Sequence, residues 1–164
     1  MPKRKPKLKL EITKKSDQKL LNLMKIHYSK PKGFVGRSIC YSIFYEDKYY
    51  GHIVGGSSTM HLAGRDSFFN LTKDNKLKTL NKIVNNIFYH IEKQNNKYPT
   101  RNFTTKVLKT FRHEIVNDWK EKYNITSVPT IIVFNGKEVE RFKADLSFAI
   151  VAKLKDIQDV IDEI

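Results

Sequence analysis

The sequence predicts an α/β chain of the mixed α+β kind, a central mixed sheet with helices packed on its faces. Three observations predict it: apolar residues alternate at 8–12 and 39–45, they recur at helical spacing at 20–24 and 107–119, and turn residues separate these runs. Leu8, Leu10 and Ile12 have the period of a half-buried strand. Ser16 and Asp17 offer an N-cap to a helix through Leu20, Leu21, Leu23 and Met24, which ends near His27. The stretch KPKGFVGR at 30–37 carries Pro31, Gly33 and Gly36 and reads as a loop. Beyond it, SICYSIFY places Ile39, Tyr41, Ile43 and Tyr45 on one face, and the turn Glu46-Asp47-Lys48 returns the chain as the second strand of a hairpin, YYGHIVGGSS. Leu77, Leu80, Ile83 and Val84 predict a helix from Asp74 onward, while NIFYHIE after it fits a continued helix and a new strand equally. Thr104 is expected to cap an amphipathic helix with Val107, Leu108, Phe111, Ile115 and Trp119 on one side, ending near Tyr123 and Asn124. A strand at 129–134, a turn at Asn135-Gly136 and a returning strand at 138–143 follow, and then a last helix whose buried face begins with Ile150, Val151 and Leu154.

At 164 residues, 40% of them apolar, the chain suits a single domain with one sizeable core, here 7–164 behind a basic arm at 1–6. It contains no run of 18 apolar residues and no apolar segment behind its basic start, so neither a membrane span nor a secretory signal is expected. The single cysteine, Cys40, excludes an internal disulfide framework and suits a reducing cytoplasm. Net charge is the feature that narrows the partners: 31 Lys and Arg stand against 17 Asp and Glu, giving +14. The first 45 residues hold 12 basic and two acidic side chains, whereas 124–164 hold five and seven, so the charge is polarised along the chain. Such a basic half points to polyanions, first among them double-stranded DNA, with Lys3, Arg4, Lys5, Lys30, Lys32 and Arg37 as the expected phosphate contacts. Charge of this kind attracts nucleic acid without choosing a sequence.

No P-loop, CxxC, HExxH or GxSxG motif is present. The chemistry-bearing residues gather instead at element ends, where binding groups usually sit: His27-Tyr28-Ser29, Gly55-Gly56-Ser57-Ser58, Arg65-Asp66, Asn102 and Asp118-Trp119. Asn102, Thr104 and Thr105 precede the long helix, whose free amides suit a pyrophosphate or acyl carbonyl as well as they suit ordinary capping. Arg65 suits a phosphate or cofactor contact, or a surface pair with Asp66.

Taken with their order, IHYSKPKG, the hairpin ending in GHIVGGSS with ARDSFF after it, and the segment from NNIFYHIE to DWKEKYN resemble the phage Mom DNA-modification proteins of the GNAT-type acyltransferase superfamily. The resemblance spans 25–123 and implies a GNAT-like fold. It also implies transfer of a small acyl-derived group to the exocyclic amine of adenine in DNA, shielding phage DNA from restriction. Acetyl-CoA or a related thioester would be the donor, bound near Arg65, Asn102, Thr104 and Thr105, in a bacterial or phage-infected cytoplasm. His27 and Tyr28 match the family's HYS stretch and Asp118 its Asp-Trp pair, which makes these three the implied catalytic residues and the set offered to iron. A histidine, a phenol and a carboxylate supply a general base, a proton relay and an orienting group, and a histidine with a carboxylate equally suits a metal. The ordinary readings are a helix-terminal His27 favoured by the dipole and an Asp118 paired with Lys122.

Two departures stand beside the resemblance: no QxxGxG/A stretch is present, and the C-terminal quarter shares little with the family. That quarter, ITSVPTIIVFNGKEVERF, is also similar to the second half of a thioredoxin fold. Two other functions therefore stay open, a catalytically silent nucleic-acid-binding phage protein and a thioredoxin-fold protein lacking CxxC. Convergence of His27, Tyr28 and Asp118 in one pocket would favour the enzyme, and Pro129 lying beside Cys40 the thioredoxin reading.

Overall fold

The computed structural model describes residues 7–57, 63–68 and 70–125, with the strand backbones 131–134, 137–138, 140–142 and 149–151; for Gly64, Arg65 and Phe68 only the backbone is described. Four strands form an antiparallel sheet in the order β1 (Leu8–Thr13), β2 (Ser38–Tyr45), β3 (Lys48–Ser57) and β4 (Val84–Ile91). The hairpin predicted at 38–58 is the central pair, registered Cys40 to Val54 and Tyr41 to Ile53. At the edge, β1 carries Lys9 and Glu11 outward, paired with each other, and charged side chains of this kind discourage further strand addition.

Helix α1 (Gln18–Ile26) opens as expected, with the Asp17 carboxylate accepting the Leu20 N–H at 3.1 Å. It buries Leu20, Leu23 and Met24 against Cys40, Val54 and Phe88. The long helix α4 (Phe103–Tyr123) buries Val107, Phe111, Ile115 and Trp119 against Ile39, Tyr41, Ile43 and Ile53, and Leu108 packs at the margin of that cluster. Neighbouring strand residues point to opposite faces. Cys40 and Val54 therefore belong to the α1 face of the sheet, and Tyr41 and Ile53 to the α4 face. This is the mixed α/β class that the sequence predicts, with a helix on each side of the sheet. Each fully buried Leu, Ile or Phe in the two clusters contributes about 1.5–3 kcal/mol.

Several elements differ from expectation. The helix after Asp74 is a short α3 (Lys76–Leu80), and Val84 already opens β4. NIFYHIE is thus strand, since pairing with β3 satisfies its backbone in a central sheet. Thr104 does not cap α4: the cap is Asn102, left-handed at φ 55°, and Thr104 lies inside the first turn. The other short helix, α2 (Ala63–Phe68), follows β3. Beyond α4, β5 (Ile131–Phe134), β6 (Lys137–Glu138), β7 (Glu140–Phe142) and β8 (Ala149–Val151) form a second group with one parallel pair, β5 with β8. Ile150 and Val151 accordingly sit in a strand and not in the helix expected for them. The remainder of that predicted helix, from Leu154, and Pro129 lie outside the described residues. Among the described residues no helix is long and apolar enough to cross a membrane.

Candidate nucleic-acid interface

The three residues expected to share a chemical centre do not meet. His27 is the C-cap of α1 and is buried, with its ring against Phe88 at 4.7 Å between centroids. Asp118, on α4, accepts the hydroxyl of Tyr41 at 2.5 Å. Phe88 belongs to the α1 face and Tyr41 to the α4 face, so the sheet lies between His27 and Asp118. The expectation of one site built from His27, Tyr28 and Asp118, catalytic or iron-holding, is corrected by this separation. Among the described residues no three His, Cys, Asp or Glu side chains converge as metal ligands.

His27 has a visible structural task. Its Nδ1 accepts the Ser29 N–H at 3.3 Å and lies 2.8 Å from Ser29 Oγ, while its carbonyl accepts the Lys30 N–H at 3.0 Å. Together these bonds fold residues 27–30 into a tight turn. Burial lowers the imidazole's pKa from its ordinary value, and the neighbouring His90, at 5.3 Å between ring centroids, lowers it further against a backbone hydrogen bond with Tyr89. The ring is therefore neutral at physiological pH, with the Nδ1 side committed as acceptor. Tyr28 occupies the tip of that turn and is 68% exposed.

The residues expected to hold a thioester lie on two elements, the start of α4 and α2. The side chain of Asn102 makes no capping bond, the Thr104 carbonyl accepts the Tyr89 hydroxyl at 2.8 Å, and Thr105 is exposed. Arg65 lies in α2 with its side chain outside the described atoms, while Asp66 pairs with Lys76 at 2.7 Å. Gly55 follows a bulge in β3, and a Cβ there would sit 2.9 Å from Ile115 Cδ1. Close approach of α4 to the strand accounts for this glycine.

Sequence reasoning missed a buried polar network on the α1 face. His52 is fully buried; its Nδ1 lies 2.6 Å from the Tyr49 hydroxyl and its Nε2 3.1 Å from Ser42 Oγ, 3.2 Å from Thr13 Oγ1 and 3.6 Å from Asp17 Oδ1. Desolvation pulls its pKa down to about 4, although Asp17 acts in the opposite sense. Serine and carboxylate both lie on the Nε2 side, so the set lacks the serine-base-orienter order of a nucleophilic triad. The network joins β1, β2, β3 and the start of α1. Its one sequence signal was Ser42 and His52 at polar positions of otherwise apolar strands.

Cations gather on the outer side of α1. A groove of about 570 Å³ runs between the helix and the returning segment 30–32, lined by Gln18, Leu21, Met24, Lys25, Lys30, Pro31 and Lys32. Two of the expected phosphate contacts, Lys30 and Lys32, thus face a third lysine across an apolar floor, and all three are exposed. The loop continues to Phe34 and Gly36, whose carbonyls accept Lys15 Nζ at 3.2 and 3.0 Å. Arg37 lies farther along, with its guanidinium 4.9 Å from the centre of the Tyr123 ring. Lys3, Arg4 and Lys5 fall outside the described residues.

The model of one protein family, described as Druantia protein DruA, matches residues 2–148. The chain belongs to the DruA family. No curated protein and no solved structure matches it. The DruA match takes in both central strands, α1 with its groove, and α4. It overturns the resemblance to Mom-like proteins and with it the assignment as a GNAT-type transferase acting on adenine. That resemblance rested on the order of a few local stretches and one longer segment, from NNIFYHIE to DWKEKYN, and local likeness of this kind recurs between unrelated functions. The phage regulator and thioredoxin readings gain nothing from the DruA match either.

Proposed function

We propose that this chain is a component of a Druantia-type anti-phage defence system and engages DNA through the groove on α1. The family supplies the first half of the reading. One observation carries the second: Lys25, Lys30 and Lys32 converge on a single concave surface, in the half of the chain that holds 12 basic against two acidic residues. Lysine ammonium groups are compact point charges that meet phosphate oxygens without reading bases. Release of counterions from the phosphates then drives association, and the interaction weakens as salt rises.

Fluorescence anisotropy with labelled DNA, duplex and single-stranded, tests the reading. Affinity is expected to fall about tenfold or more between about 50 and 200 mM salt. Joint replacement Lys25→Glu, Lys30→Glu and Lys32→Glu is expected to abolish binding at the higher salt. Absence of binding at low salt, or a triple variant that binds like the parent, removes the groove from the proposal.

A further inference from the structure

We infer that the α1 groove selects single-stranded nucleic acid over a duplex, with Tyr28 as the platform on which an unpaired base stacks. The inference rests on the reading of the groove as a DNA site and adds which form of nucleic acid it takes.

Lysines alone do not distinguish the two forms, because both present phosphates. The apolar groups among those lysines do. Tyr28 stands in the turn that joins the groove's two walls, Lys25 on the helix and Lys30, Pro31 and Lys32 on the return. Tyr28 is 68% exposed, Ile26 two residues before it 63%, and Val35 on the same loop 95%. Leu21 and Met24 line the groove between the cations. A surface meant only for the phosphates of a rigid duplex has no use for an exposed ring and an apolar floor, since duplex bases are stacked on one another inside the helix. A single strand offers both kinds of group in alternation, charged backbone and flat apolar base, and aromatic stacking between cations is the usual way to hold it. The groove's volume of about 570 Å³ is that of a pocket for a small organic group, which suits an extruded base.

The turn presents Tyr28 in a fixed place. His27 is buried beneath it, its ring centroid 4.4 Å from that of Tyr28, and its bonds to Ser29 and Lys30 close the turn. His27 is in this sense a positioning residue, and its neutrality leaves the stacking ring beside an uncharged neighbour.

The test compares labelled oligothymidylate, oligouridylate and a blunt DNA duplex, each of about 15 nucleotides per strand, a length near the upper end of the usual single-strand site. The wild-type chain is expected to bind at least one single strand about tenfold more tightly than the duplex, and the two single strands, which differ in the 2′-hydroxyl and the base's 5-methyl group, show whether DNA or RNA is preferred. Tyr28→Ala is expected to cost about tenfold on the preferred single strand and less than twofold on the duplex, whereas Tyr28→Phe and Tyr28→Trp retain the preference. A duplex bound as tightly as both single strands, or an equal loss on all probes in Tyr28→Ala, overturns the single-strand inference and leaves the DNA reading in place. Failure of every probe to bind at low salt overturns both.

Discussion

The hydroxyl of Tyr41 in the central strand β2 donates to the carboxylate of Asp118 on α4 at 2.5 Å. Tyr41 itself is almost fully buried, with its ring edge-on to Phe111. Burial first, and the carboxylate second, push the phenol's pKa far above its ordinary value, so it stays a donor at any physiological pH. The contact pins the outer end of α4 to the middle of the sheet, on the face opposite the groove.

Breaking this pair is expected to show as coupling. Tyr41→Phe and Asp118→Ala should each destabilise the fold by about 1–3 kcal/mol, because one leaves a carboxylate without its donor and the other a buried hydroxyl without its acceptor. In the double variant the costs should fail to add by about 1–2 kcal/mol in urea denaturation. Additive costs would mean that the two residues act separately, and neither variant should change binding to DNA.

Acid stability should report on His52. The folded chain holds this imidazole neutral with a pKa near 4, against an ordinary value of 6.5, so the unfolded chain takes up the proton first. Its contribution is complete above the ordinary value and is lost as pH falls from about 6.5 towards 4. Since each tenfold difference in proton affinity is about 1.4 kcal/mol, the loss approaches about 3 kcal/mol. Urea midpoints measured across this range should drop steeply for the wild type and less steeply for His52→Gln. Some slope should remain, because the pKa of His27 is lowered in the same direction.

Much of this architecture was legible in the chain because it rests on short-range rules. The Ile39, Tyr41 and Ile43 alternation gave the central strand, Asp17 gave the start of α1, and the spacing of Val107, Phe111, Ile115 and Trp119 gave α4. What failed depends on pairing or on distance along the chain. The Asn-rich start of β4 and the β-branched Ile150 and Val151 satisfy helical and extended patterns alike, and only a neighbouring strand decides between them. For the site, Lys30 and Lys32 were visible as charge, but Lys25 and the apolar floor became part of it only once the His27 turn folded the loop back on the helix. His27 and Asp118 looked like partners by type, yet Phe88 and Tyr41, which they touch, face opposite sides of one sheet.

Gly51 should be the least replaceable glycine of the central hairpin. It has φ 148°, and a Cβ built there would lie 2.0 Å from the backbone oxygen of His90 on β4. At Gly55 the obstacles are side-chain methyl groups, Ile115 Cδ1 at 2.9 Å and Val84 Cγ1 at 3.1 Å, which give way more readily than a backbone oxygen. Gly51→Ala is therefore expected to cost about 3 kcal/mol or more from strain and clash together, and Gly55→Ala less than half of that. Chemical denaturation of the two variants checks the order, and a milder effect at Gly51 would show that β3 and β4 can separate at no great cost.

The salt dependence of DNA binding should depend on where the cations lie, as well as on how many there are. With a net charge of +14, any exposed lysine adds to the general attraction, and a diffuse contact would lose affinity a little at every replacement. A localised groove behaves otherwise, because only cations that touch phosphates release counterions on binding. Each such contact contributes about 0.7 to the slope of log affinity against log salt for a single strand. Joint Lys25→Gln, Lys30→Gln and Lys32→Gln replacement should therefore flatten the slope by about 2 on oligothymidylate. Lys109→Gln, which removes an exposed cation from α4 on the other face, should leave the slope within measurement error. Arg37→Gln should also leave it unchanged while lowering stability, because its guanidinium lies over the Tyr123 ring outside the groove. Titrations at four or five salt concentrations separate the two cases: equal flattening per charge removed, in the triple and in both single variants, means a diffuse electrostatic contact, and flattening confined to the three groove lysines means a defined site.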